Sequence, residues 1–136
     1  MKKLIYLLVI TIIFAACASK KDYIVTGSIE GGVEGGIVYL SFVEKGSFVN
    51  IDSSVIKNGV FTFKGRQDTV VNCYVRSKEK VGNTNRKLYG DFFLENGEIN
   101  IIITTKGSTV SGTPNNDAYQ AIRNEMYELQ KNLASV

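Results

Sequence analysis

Phe92-Phe93-Leu94-Glu95-Asn96-Gly97-Glu98-Ile99-Asn100-Ile101-Ile102-Ile103-Thr104 is the stretch on which the fold turns. Ile99, Ile101 and Ile103 alternate, the period-two spacing of a strand, and Ile102 on the opposite side predicts burial of both faces. Asn96-Gly97 separates this run from the apolar segment before it. An Asn-Gly pair suits a type I′ turn, whose two central residues both need φ > 0. The expectation is therefore a hairpin of residues 87–95 with residues 98–104.

The same grammar extends in both directions. Tyr23, Val25, Gly27 and Ile29 alternate, residues 37–43 form a second strand, and residues 48–56 a third. A second Asn-Gly pair, Asn58-Gly59, predicts a hairpin into residues 60–64. Residues 69–76 and 109–111 complete the series, with residues 77–86 as a polar, mobile loop. Seven or eight short strands broken by glycine turns make the chain mostly β, an antiparallel β-sandwich or barrel-like sheet. After Gly112-Thr113-Pro114, Asn115 or Asn116 can cap a C-terminal helix reaching about Leu133. Tyr119, Ile122, Met126, Leu129 and Leu133 lie at three- and four-residue steps and form one apolar stripe, with Arg123, Asn124, Glu125, Glu128 and Lys131 opposite. The stripe either docks on its own sheet or awaits a protein partner or a second copy of the chain.

The N-terminus obeys other rules. Met1-Lys2-Lys3 is basic, residues 4–14 are apolar except Thr11, and Ala15-Ala16-Cys17 follows. About a dozen residues at ~1.5 Å each cannot span a ~30 Å hydrocarbon core. Basic flank, short apolar core and small residues at the exit mark a secretory signal. Phe14-Ala15-Ala16-Cys17 resembles the bacterial lipobox, with Phe14 where Leu is usual. That resemblance makes Cys17 the lipidation site; the plainer reading is a secreted protein cleaved near Ala16. Acyl chains at ~0.8 kcal/mol per buried CH₂ give a durable membrane anchor once several are attached. The expected organisation is signal peptide 1–16, lipidated Cys and tether 17–22, β-rich domain 23–112 and amphipathic helix 113–136.

Charge and residue usage narrow the function classes. Without Lys2 and Lys3, 14 basic residues face 13 acidic ones, a net charge of about +1. No basic face interleaved with aromatics is present, which argues against nucleic acid as a partner. With Cys17 acylated, Cys73 is left alone; it shares a strand face with Val71 and Val75 and reads as a small buried hydrophobe. There is no Cys-x-x-Cys and no histidine, which removes dithiol redox chemistry, the Ser-His-Asp triad and most zinc sites. Neither cofactor nor metal is expected. Gly31–Gly36 lacks the ending of a phosphate-binding loop. Asp52-Ser53-Ser54 reads as a strand edge with local hydrogen bonds. Asp91, Glu95 and Glu98 cluster around the second Asn-Gly pair, and an envelope enzyme with a carboxylate-based site is the alternative to a non-catalytic module.

Six motifs occur in order: Val25-x-Gly27-x-Ile29; Gly36-x-Val38-Tyr39-Leu40; Asp52-Ser53; Gly59-x-Phe61-x-Phe63-x-Gly65; Phe93-Leu94-Glu95-Asn96-Gly97; and Val110-Ser111-Gly112-Thr113-Pro114-x-Asn116-Asp117. Together they resemble the domain of unknown function found near the N-terminus of Bacteroidetes-type lipoproteins, ahead of a thioredoxin-like (AhpC/TSA-type) domain. The resemblance spans about residues 23–128. It implies an accessory part of a thiol:disulfide oxidoreductase lipoprotein, here without its Cys-x-x-Cys domain, as a natural short form or a truncation. Asp68-Thr69-Val70 resembles the O-glycosylation acceptor of the same bacterial group, which makes Thr69 a candidate modification site. Surface-exported lipoproteins of that group often carry acids just after the cysteine. Ala18-Ser19-Lys20-Lys21-Asp22 carries one, favouring a periplasm-facing position at the outer membrane.

Overall fold

A computed structural model describes residues 22–81 and 86–136. Cys17, the signal segment 1–16, tether residues 17–21 and loop residues 82–85 lie outside the described part. The chain order is β1 (Tyr23–Ile29), β2 (Ile37–Glu44), β3 (Ser47–Val55), β4 (Phe61–Gly65), β5 (Val71–Ser77), β6 (Tyr89–Leu94), β7 (Gly97–Thr104), β8 (Gly107–Ser111) and α1 (Pro114–Ala134). The strands form two four-stranded sheets, β4-β1-β7-β8 and β3-β2-β5-β6. Val25, Phe61, Phe63, Ile99, Ile101, Ile103 and Val110 of the first share one buried cluster with Val38, Leu40, Cys73, Val75, Phe92 and Leu94 of the second. The mostly β sandwich expectation holds, and neither sheet closes on itself.

One pairing departs from the antiparallel rule. β1 lies parallel to β7, in register from Tyr23↔Gly97 to Ile29↔Ile103. Gly27 allows this close approach: a Cβ there would lie 2.3 Å from the Ile101 carbonyl oxygen and 2.7 Å from the Phe61 ring. The Phe61 ring fills the space that a side chain at residue 27 would need.

Both Asn-Gly pairs prove to be sheet crossings, which corrects the hairpin expectation. Asn58 and Gly59 do have φ of 52° and 76°, and Lys57 and Val60 exchange both backbone hydrogen bonds. The ladder stops at that bridge, because β3 and β4 belong to different sheets. At the second pair only Gly97 has positive φ, 132°. Asn96 instead spends its side-chain amide on the Gln67 backbone, accepting its N–H at 2.9 Å and donating to its C=O at 2.6 Å. A side chain that mimics a neighbouring strand leaves the chain free to pass from one sheet to the other. The tight hairpins are β2–β3, turned by Lys45 (φ 50°) and Gly46 (φ 79°), and β7–β8, closing at Thr104↔Gly107.

Ile102 also departs from expectation. It is 54% exposed, so β7 is buried on one face only. In β2–β3 the register slips after Leu40↔Asp52 to Ser41↔Asn50, leaving Ile51 as the extra residue of a bulge.

Candidate binding surfaces

The two sheets approach at β6 and β8, each an edge strand, and edge strands carry unpaired backbone groups that need cover. α1 supplies it. Thr113 is its N-cap residue, without a side-chain cap bond, and Pro114 sits in its first turn, so neither Asn115 nor Asn116 is the cap. Asn116 is fully buried one turn in. Its amide accepts the Phe93 N–H at 2.8 Å and donates to the Phe93 C=O at 2.8 Å, repeating the strand mimicry of Asn96. One turn later Gln120 accepts the Val110 N–H of β8 at 3.0 Å. Two carboxamides at i and i+4 on one helix face thus clasp both open edges.

Glu95 takes over the capping. Its carboxylate accepts the Asn115 backbone N–H at 3.0 Å and the Asn115 side chain at 2.6 Å. Burial would raise its pKa, but hydrogen bonds from Thr113, Asn115 and the Asn115 and Asn116 amides outweigh that and hold it below the usual value. A carboxylate is favoured at this place because the helix N-terminus presents free N–H groups and a positive dipole end. Asp91 is likewise engaged: the Tyr119 hydroxyl donates to it at 2.5 Å, and Arg123 lies 3.8 Å away. That hydrogen bond to Asp91 is the first cause raising the Tyr119 pKa, with burial and the Asp91 charge adding to it. Glu98 is exposed at the start of β7. Two of the three sequence-flagged carboxylates therefore hold the helix in place.

The apolar stripe divides. Tyr119 packs edge-on against Phe93, ring centroids 5.3 Å apart. Ile122, Met126, Leu129 and Leu133 are all more than half exposed, as is Tyr127, and every residue from Asn124 onward is exposed. The helix starts beside one end of the sandwich, and Arg123, Asn124 and Tyr127 lie beside the β7–β8 turn at the other. At the near end Gly97 donates to the Asp22 carbonyl beside Thr113. At the far end the β7–β8 turn is tied to Glu30, which accepts the Thr105 N–H at 2.8 Å. β1 begins at the near end, and the exposed part of α1 is carried toward the far one.

A second surface was not legible in sequence. On the outer face of β3-β2-β5-β6, Phe48 meets Tyr74 edge-on (5.3 Å), Tyr74 meets Tyr89 (6.4 Å), and the Arg76 guanidinium stacks 4.1 Å above Phe48. Arg76 is fixed by Ser41 (3.3 Å) and Asn50 (2.8 Å), and a cavity of about 440 Å³ opens beside Tyr89. Alternation along β3 and β5 could have flagged Phe48, Tyr74 and Arg76 as outward, but not their convergence across three strands.

The remaining flagged residues are dispersed. Cys73 is fully buried and burial pushes its thiol up to about 11. Asp68, Thr69 and Val70 are exposed on the bend before β5. In Asp52-Ser53-Ser54, Asp52 accepts the Ser53 N–H and Ser54 accepts the Thr62 N–H across to β4. Among the described residues no cluster of three Cys or carboxylate side chains could hold a metal, and no helix is long and apolar enough to cross a membrane.

A family model described as "Domain of unknown function (DUF4369)" matches residues 23–119, all eight strands and the docked start of α1. No curated protein and no solved structure matches the chain.

Proposed function

Since the chain belongs to the DUF4369 family, a domain of unknown function, we propose that it is a non-catalytic, lipid-anchored envelope module. It is held through Cys17 and presents an association helix at the opposite end. The observation that carries this reading is the polarity of the domain. β1 starts at the near end, six residues after the lipobox cysteine, while the exposed stripe of α1 is directed to the far end.

The stripe's occupant in this proposal is a second copy of the chain. Ile122, Met126, Leu129 and Leu133, the exposed helical part of the stripe, are spaced by four, three and four residues, the 3.5-residue repeat of a left-handed coiled coil. Two copies anchored in one leaflet share an orientation, which suits parallel pairing, and confinement to the membrane raises their effective concentration. An accessory role beside a thiol:disulfide oxidoreductase fits the same reading, and so does periplasm-facing retention at the outer membrane. Cys73, buried with a raised pKa, is poorly placed for thiol exchange.

The test is metabolic labelling with a palmitate analogue in cells expressing wild type or Cys17→Ala. Label in the wild type and none in the variant is expected. Equal labelling of both would end the lipoprotein reading. Insulin reduction by the purified protein should be blank; activity lost in Cys73→Ser would overturn the non-catalytic assignment.

A further inference from the structure

Between β6, the β7–β8 turn and the middle of α1 lies a groove of about 330 Å³. Arg86, Lys87, Lys106 and Arg123 line it, and Asp91 is its sole acid. Such volumes are at the lower end of small-molecule sites. The chain as a whole is nearly neutral after its first residues, so four cations on one groove are a local concentration, not a reflection of composition.

Asp91 offsets only part of this charge, through its ion pair with Arg123. One of its oxygens takes the Tyr119 hydroxyl, and the other lies 3.8 Å from Arg123 Nη1, beyond hydrogen-bond length. That Nη1 is buried and has no hydrogen-bond partner, alone in this among the buried side-chain polar atoms of the described residues. Buried donors are normally satisfied, so this guanidinium, ion-paired to Asp91 but without a hydrogen bond at Nη1, keeps donor capacity beside the groove. The cleft itself is fixed by close strand approach. A Cβ on Gly90 would lie 2.8 Å from that of Ser108, so glycine lets β6 and β8 meet tightly at its floor. Thr104 and Ser108 line the same space.

We propose that this groove binds a small soluble polyanion through phosphate or carboxylate oxygens. The partly exposed Arg123 guanidinium supplies charge and donors at the wall, and Lys87 and Lys106 supply charge at the rim. The assignment is independent of lipidation and of helix pairing.

Amide NMR of the full chain in nonionic detergent, titrated with inorganic pyrophosphate and separately with citrate, tests it. Saturable shifts confined to residues 87–91, 105–108 and 123 are expected with at least one probe. Lys87→Gln with Lys106→Gln should weaken that binding about tenfold or more, roughly one charge-assisted hydrogen bond. Lys45→Gln with Lys57→Gln, on turns away from the groove, should leave it unchanged. Equal, unsaturable shifts around all surface lysines, or identical affinity in both double variants, would overturn the site. So would binding to micelles doped with phosphatidylglycerol alone and to neither probe, which would assign the charge to a lipid surface.

Discussion

The two halves of α1 have the same helical geometry and the same apolar periodicity, yet opposite surroundings. From Pro114 to Arg123 the helix is committed: Asn116 and Gln120 bond two strand edges, Glu95 caps the start, and Tyr119 packs on Phe93. From Asn124 onward nothing of the domain touches it closely enough to bury a residue. The difference teaches that an apolar stripe does not by itself dock a helix. Here docking is done by side-chain amides that satisfy backbone groups, and the stripe begins to matter only where the amides end.

Asn116 is where that comparison breaks most readily. Asn116→Ala strands the Phe93 N–H and C=O in a buried place and should cost about 3 kcal/mol in urea unfolding, given roughly 1–3 kcal/mol for each unsatisfied group. Gln120→Ala, which frees a single N–H at β8, should cost nearer ~1 kcal/mol. Glu95→Gln should reveal a pH-dependent difference. The Glu95 pKa is lowered in the folded protein, so its stabilisation is present above the unfolded value near 4.5 and fades as pH falls through the folded one. Wild type and variant should therefore differ at pH 7 and converge in acid; a gap that widens below pH 4 would contradict the capping role. At the small end, Leu129→Ala in the exposed half should change monomer stability by under about 0.5 kcal/mol. A loss comparable to that of Asn116→Ala would mean the second half docks after all.

Much of this could be read from the residues. Alternation in Tyr23–Ile29 and Gly97–Thr104 located strands because one face of each is buried, and burial of Cys73 followed from Val71 and Val75. What failed was partner choice. Asn58-Gly59 encodes a local φ pattern, and that pattern formed, but local φ says nothing about which sheet the next strand joins. Turn and cap are the local uses of asparagine, and sequence alone points Asn96 and Asn116 to them. Both instead hydrogen-bond backbone distant in sequence, at Gln67 and Phe93. The basic groove is illegible in sequence for the same reason: Lys87, Lys106 and Arg123 come from three separate segments that only the β6–β8 approach unites.

Disulfide trapping in membranes tests most directly the claim that the far half of α1 pairs with a second copy. The lipidated full-length chain carrying Leu129→Cys, on the stripe, is compared with Asn124→Cys on the opposite face, Cys73 being buried in both. The account predicts rapid dimer formation for Leu129→Cys and little for Asn124→Cys. Equal trapping at both positions, or none at Leu129→Cys, would contradict it.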